Sequence, residues 1–471
     1  MRKFLDKILH HETKNINSAA LVLATTSFVS ALLGLLRDRL LAGRFGVGDE
    51  LDIYYAAFRL PDFISMVFII GAISAAIIPI FSEHLVRSKE EAFRFLSNLL
   101  NVFFFCLILI CLLLIVFTPQ ILSVIAPGFS PEKREATVFL TRIMFLSPII
   151  LGLSNILSAI LRVFQRFLIS SLAPVMYNLG IIFGILFFVP LMGLKGLAWG
   201  VVFGAFLHLV IQIPAVGGIG FKYEKILDFK HAGVKKVVWL TLPRSLGLAA
   251  DQLNLIVVTA IASTLSSGSI AIFNLASSLS RPIQTFIGNS FSTAAFPSLS
   301  LAYSQKDRAK YLKIFFEAFY KILIFIIPIS LVIFLFRGFF ITIIFKVGKF
   351  VSADVNLTAA CLGMFALGLF AQSLNLLLAK AFHAVQNTKL PALSSVLDMA
   401  ITVGLSFLFL WLFSFGNVFR DAFADLLAIK DLTNIKIVAL PLALSISALA
   451  QFLFLLFFFF RNIYHKMKNG T

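Results

Sequence analysis

Apolar stretches of about twenty residues recur along nearly the whole of this chain, and that length matches the hydrocarbon core of a bilayer, roughly 30 Å thick. In lipid every backbone N–H and C=O must be satisfied inside the segment, so such stretches fold as spanning helices. Hydrophobic residues make up 60% of the 471 and charged residues 13%, far from the balance of a water-soluble domain. The pattern predicts about twelve spans, over residues 18–41, 51–80, 92–118, 137–161, 170–190, 196–219, 236–264, 269–300, 312–336, 355–384, 390–414 and 436–460. Residues 1–17 are basic but lack a small-residue cleavage site after a short apolar core, so no removable signal is expected.

The formal charge of +18 is spread over short loops between spans rather than gathered in one patch. Positive-inside topology and anionic headgroups account for that spread better than nucleic acid does. Lys and Arg concentrate in the N-terminus, the even-numbered loops and the tail, so both termini are expected in the cytoplasm. Cys106, Cys111 and Cys361 lie in apolar helical text without the spacing of a disulfide framework or a metal site, which leaves core packing.

The chain also repeats itself. Ser74, Ala76, Pro79 and Ser82 match Ser292, Ala294, Pro297 and Ser300 at a constant offset, each set followed by a polar loop and a Phe-rich helix. Asn155 and Ala159 match Asn375 and Ala379, and Gln165 with Pro174 matches Gln386 with Pro391. Six spans per half is an even number, so the halves share one topology, as in transporters built from parallel repeats. The expected organisation is a cytoplasmic segment 1–17, a six-helix bundle 18–220, a cytoplasmic linker 221–235, a second six-helix bundle 236–460 and a cytoplasmic tail 461–471. The fold class is an all-α polytopic membrane protein of two pseudo-symmetric six-helix bundles.

Arg59, Arg142, Arg244, Arg281 and Lys321 stand inside predicted spans. A cation there costs roughly 2.5–3.5 kcal/mol on insertion scales and usually faces a bundle interior or a wet cavity. Several of them point to an internal cavity that receives an anion. The guanidinium fork suits phosphate, which singles out Arg37, Arg244 and Arg281 as contacts. Blander roles stand beside these: Arg37 can pair with Asp38 or snorkel, and Arg244, next to Pro243, can anchor at the interface. Arg59 and Asp62 are spaced to pair across Pro61, Lys321 follows Glu317 by one turn, and Arg142 reads as structural. Asp251 and Asp398 are intramembrane acids suited to a coupling ion or proton, with Asn254 as a further oxygen ligand for Na⁺; hydrogen bonding to neighbours is the alternative. The histidines have no metal-ligand spacing, and no glycine-rich phosphate loop precedes a helix with Lys-Ser/Thr. Neither an enzyme nor a nucleotide-driven pump is expected, and no cofactor.

Gly34-Leu-Leu-Arg37-Asp38, Phe45-Gly46, Asp52, Ala57-Phe58-Arg59-Leu60-Pro61, Gly71-Ala72, Pro79, Ala126-Pro127-Gly128-Phe129 and Phe296-Pro297-Ser298-Leu299-Ser300 form an ordered set of motifs. From about residue 18 to residue 460 the chain resembles the MurJ/MviN family of lipid II flippases, in the superfamily that also holds the MATE exporters. The resemblance implies a V-shaped pair of bundles around a cationic cavity for the diphosphate-sugar-peptide head of lipid II. It makes Arg37, Asp38 and Asp52 matching family positions and places Arg59 where Lys or Arg is common. It also implies a bacterial inner membrane, with the lipid-linked oligosaccharide and the bilayer as partners. A monomer is expected, with Na⁺ or the membrane potential as the coupling source.

Departures are equally visible. Ser30-Ala31, the Ser65 to Gly71 stretch and Ser277-Ser278 replace family arginines, and the chain reads as stopping after twelve spans where many members have two more. Aligning the repeats places Arg244 opposite Ala31, and Arg281 lies one turn from Ser278, so positive charge is expected to have moved across the pseudo-axis. The expected function is a lipid II flippase working by alternating access. The alternatives are a flippase for another polyprenyl-linked glycan, a MATE-like exporter and a transport-inactive scaffold.

Overall fold

The computed structural model describes residues 16–70, 76–416, 418–427, 429 and 434–464. The side chains of residues 16, 17, 19, 20, 70, 243, 244, 246–248 and 251 fall outside that description, as do residues 71–75 of the first repeat copy, residues 1–15 and the tail from 465. All regular structure among the described residues is helical. Among them, nine helices are long and apolar enough to cross a membrane. The other three expected spans, 51–80, 236–264 and 269–300, run through helices that carry Arg59 and Asp62, Arg244 and Asp251, and Arg281. Charged and polar residues thin the apolar text of these spans.

The first half runs α1 (Ile16–Phe45), α2 (Asp49–Ile64), α3 (Ile78–Arg87), α4 (Lys89–Ile125), α5 (Pro131–Met144), α6 (Leu146–Val163), α7 (Phe167–Phe183), α8 (Val189–Met192), α9 (Lys195–Val210) and α10 (Ile213–Gly218). The second runs α11 (Ala232–Ser263), α12 (Ser269–Gln284), α13 (Ser290–Ser304), α14 (Arg308–Leu335), α15 (Arg337–Phe345), α16 (Ser352–Ala384), α17 (Lys389–Ser414), α18 (Val418–Leu427) and α19 (Ala439–Phe459).

The sequence repeat is visible in the backbone. α2 and α12 are both 16 residues long, hold Pro61 and Pro282 near their ends, and pass into π-helical turns at Ser65–Ile70 and Thr285–Asn289. The spans Pro131–Val163 and Ser352–Ala384 are both 33 residues long. Each then turns through a glutamine with positive φ, Gln165 at 57° and Gln386 at 61°, the pair already matched in sequence. The turns close alike: Arg166 N–H donates to Leu161 O (2.8 Å) and Asn387 N–H to Phe382 O (2.9 Å). These are helix ends closed through a left-handed residue, which orders the last carbonyls without glycine.

The helices gather into two compact units, and the division cuts across the repeat at two places. The first unit holds α1 up to Leu41 together with Ile53–Ile256, and the second holds Ala42–Asp52 together with the described chain from Val257 onward. Most of α11, from the second repeat, therefore packs with the first unit, where Ser245 Oγ donates to Val67 O (2.5 Å). In this unit α9 packs on α7 through facing glycines. A Cβ on Gly180 would run into Gly204 Cα, and one on Gly184 would run into Gly200 Cα. Small residues spaced by four let membrane helices approach closely. In the second unit α16 is the central element, packing against α12, α13, α14, α15 and α19. There the close helix pairs are held by hydroxyls: Thr402 Oγ1 to Ser447 Oγ (2.7 Å) and Ser445 Oγ to Met364 O (2.6 Å).

Candidate functional site

In the first unit, α1, α2 and α7 build a polar cluster inside the apolar bundle. Arg37 donates from Nε (2.9 Å) and Nη2 (2.8 Å) to Oδ1 of Asp38, and from Nη1 to Asn178 Oδ1 on α7 (3.2 Å). Asn178 is fixed in turn, its Nδ2 donating to Ser30 O, Ser30 Oγ and Pro174 O at 3.2–3.3 Å. Ser30, Gly34 and Arg37 share one face of α1, and a Cβ on Gly34 would sit 4.0 Å from Asn178 Oδ1. At that distance a Cβ would make an ordinary contact, so the hydrogen bonds of Asn178 rather than the glycine tie α7 to α1.

The Asp38 side chain is 5% exposed, whereas Arg37 keeps 26%. A carboxylate thus neutralises part of the guanidinium while an accessible edge remains. Tyr54, Tyr55 and Tyr177 stand within electrostatic range of Arg37, Tyr54 and Tyr177 within range of Asp62, and Tyr55 within range of Arg59. Arg59 is buried, 7% exposed. Two guanidiniums, two carboxylates, three phenols and an amide therefore gather from three helices. Such a group can accept and orient a multivalent anion through charge-assisted hydrogen bonds. Asn178 and the tyrosines escaped the sequence reading, because an uncharged polar residue in an apolar span does not reveal which helix it faces.

The remaining expected residues fall as follows. Asp52 belongs to the second unit and is 2% exposed. Its carboxylate accepts from the Gly268 N–H (2.8 Å) and the Ala271 N–H (2.9 Å), while Asp49 Oδ1 accepts from Ser267 Oγ (2.6 Å). Gly268 precedes α12 with φ 86° and has no side chain to cap with, so Asp52 supplies the N-cap acceptor from another segment. Arg281 is exposed in the last turn of α12, immediately before Pro282 and the π-helical turn that interrupts the helix. Arg244 and Asp251 lie on α11, their side chains outside the described residues. Asn254, on α11 in the first unit, and Asp398, on α17 in the second, are both partly buried.

Two other intramembrane cations have partners within the protein. Lys321 Nζ is 2.6 Å from Glu317 Oε1, the neutralised pair expected from their spacing. Arg142 Nε donates to Ile115 O (3.2 Å). That carbonyl lies four residues before Pro119, which has no N–H to give it. The neighbouring Thr141 Oγ1 reaches Ala57 O (3.4 Å), four residues before Pro61. Adjacent side chains of α5 thus serve the carbonyls left by two prolines. Among the described residues, no group of three or more His, Cys, Asp or Glu is placed to hold a metal ion.

Comparison with known proteins follows the same lines. The family model "Lipid II flippase MurJ" matches residues 41–470. A probable lipid II flippase MurJ of Buchnera aphidicola subsp. Acyrthosiphon pisum is 30% identical over 392 residues, covering 82% of this chain and 77% of that protein. A solved lipid II flippase MurJ in an inward closed conformation superposes with a TM-score of 0.76 at 25% identity, over 93% of this chain and 87% of the other. An inward-facing MATE family multidrug transporter of the MOP superfamily shares the fold alone, with a TM-score of 0.73 at 14% identity, covering 93% and 97%.

Proposed function

Since the chain belongs to the lipid II flippase MurJ family, we propose that it carries lipid II from the inner to the outer leaflet of a bacterial inner membrane by alternating access. The family match across residues 41–470 carries this reading. The cluster around Arg37 supports it, because a guanidinium with an accessible edge can take on a phosphate oxygen while keeping its bond to the buried Asp38, so neither charge of the pair is left alone. Arg37, Arg59 and Arg244 are the candidate phosphate contacts of the first unit, and Arg281 is that of the second. Asp38 holds Arg37 in the empty state, and Asp52 fixes the start of α12.

An inside-negative potential favours outward movement of an anionic head by about 2.3 kcal/mol per charge per 100 mV. Export then needs no nucleotide. Asp251, Asn254 and Asp398 are the positions for a coupling Na⁺ or proton. The protein works as a monomer, and the distribution of loop cations favours both termini in the cytoplasm.

The test is complementation of a bacterium depleted of its lipid II flippase. The unmodified chain should restore growth. Arg37→Gln, Arg244→Gln and Arg281→Gln should each lower lipid II flipping about tenfold or more, the loss of roughly 1.4 kcal/mol of binding per step. An inserted, folded chain that fails to complement would move the reading to another polyprenyl-linked glycan. Full activity in all three variants would show that the diphosphate is held by residues other than these arginines.

A further inference from the structure

The segment that joins the two repeats is fastened along α4. Adjacent Ser97 and Asn98, with Asn101 one turn further along α4, take hold of the linker backbone. Glu224 N–H donates to Ser97 Oγ (3.1 Å), and Asp228 N–H donates to Asn98 Oδ1 (2.7 Å) while Asn98 Nδ2 returns to Asp228 O (2.9 Å). Asn101 Nδ2 donates to Ile226 O (2.7 Å), and Tyr223 Oη donates to Asn101 Oδ1 (2.7 Å). Residues 223–228 are therefore a fixed strap.

Its acids are used locally: Glu224 lies 3.5 Å from Arg94, and Asp228 Oδ1 accepts from Lys230 N–H (2.8 Å). Lys222, Lys225 and Lys230 stay exposed, interleaved with exposed Tyr223, Leu227 and Phe229. A basic, aromatic segment of this kind suits the headgroup boundary of an anionic leaflet.

Beside the strap is a cleft of about 490 Å³. Leu100, Phe104, Leu153, Leu157 and Leu209 line it, and Asn101 and Tyr223 supply polar groups. Its walls belong to three membrane-spanning segments, Lys89–Ile125, Pro131–Val163 and Lys195–Gly218. A cleft of this volume is on the scale of a single fatty-acyl chain.

We propose that this cleft seats one acyl chain of an anionic glycerophospholipid of the cytoplasmic leaflet, with its phosphate among the strap lysines Lys222 and Lys225. The site is separate from the Arg37 cluster and carries a resident lipid rather than the transported one. The match of charge selects the lipid class, because the strap offers cations whose neighbouring carboxylates are already engaged.

The full-length chain, reconstituted in mixed vesicles, would be irradiated with phosphatidylglycerol bearing a photoreactive acyl chain, and the labelled peptides mapped by mass spectrometry. Label should fall on α4, α6 and α9. Ile213→Trp, at the exposed lip of the cleft, and the double variant Lys222→Gln/Lys225→Gln should each lower it about tenfold. Because Ile213 and both lysines are exposed, these variants keep the packed core intact, and thermal unfolding confirms it. Unchanged labelling in both, equal labelling by a phosphatidylcholine probe, or displacement of the probe by equimolar lipid II would each overturn the proposal. The readout is lipid labelling, so a failed flipping assay leaves it standing, and its own failure leaves the flippase reading untouched.

Discussion

Proline at position 119 of α4 has no N–H to give the Ile115 carbonyl, and the Arg142 guanidinium supplies the missing donor. The cation is legible in the sequence as a residue out of place in a span. Its partner is not, because it sits 27 residues away on another helix. Arg142→Met should lower stability by about 1–3 kcal/mol, the cost of an acceptor left unmade in an apolar span away from water, and should spare substrate affinity. Adding Pro119→Ala restores the helical N–H and should recover that loss, as measured by thermal unfolding in detergent. Absence of rescue would show that Arg142 acts through something other than this carbonyl. Arg37 and Asp38 are likewise readable as neighbours, whereas Asn178, 141 residues on, becomes part of the site only when α7 is laid against α1. Asp52 matches the family without a reason visible in the sequence; packing supplies one, the unfilled cap of α12.

At the level of elements, apolar length placed the helices well but did not give their contacts. Gly180 and Gly184 on one side, and Gly196, Gly200 and Gly204 on the other, have spacing plain in the text, yet only the structure shows the two rows face each other. Gly184→Leu should cost about 1–3 kcal/mol by overpacking, because its Cβ meets Gly200 backbone rather than a side chain that can turn away. Gly404→Ala on α17, with nothing within 4 Å, should be neutral or stabilising by up to ~1 kcal/mol. Thermal melts of the purified variants decide between them, and equal melting points would mean the glycine rows do not set the α7–α9 distance. The π-helical turns after Pro61 and Pro282 are legible in the sequence only as breaks. A proline marks where a ladder is interrupted, while the way the ladder resumes depends on the neighbouring helices.

For the whole molecule, the instructive point is that repeat copies and compact units differ. Ala42–Asp52 precedes the second repeat by some two hundred residues and still packs with the second unit. Lys349 N–H donates to Gly43 O (2.9 Å), and Gly46, with φ 70°, approaches Lys349 so closely that a Cβ would lie 2.8 Å from its carbonyl oxygen. Asp49→Cys with Ser267→Cys, in a chain whose three native cysteines are replaced by alanine, should cross-link readily and leave the flipping rate unchanged, because both residues ride on one body. Arrest of transport by the cross-link would mean that this segment shifts against the second unit during the cycle. The amino-acid text by itself determined the solvent, the helical class, the two-fold repeat and the family, because transfer into lipid and repeat matching accumulate locally along the chain. Tertiary structure alone decided which carbonyl Arg142 serves, which amide holds Arg37 and which unit owns residues 42–52. Those outcomes depend on how each helix is rotated and set in register against its neighbours, and no single window of sequence contains that information.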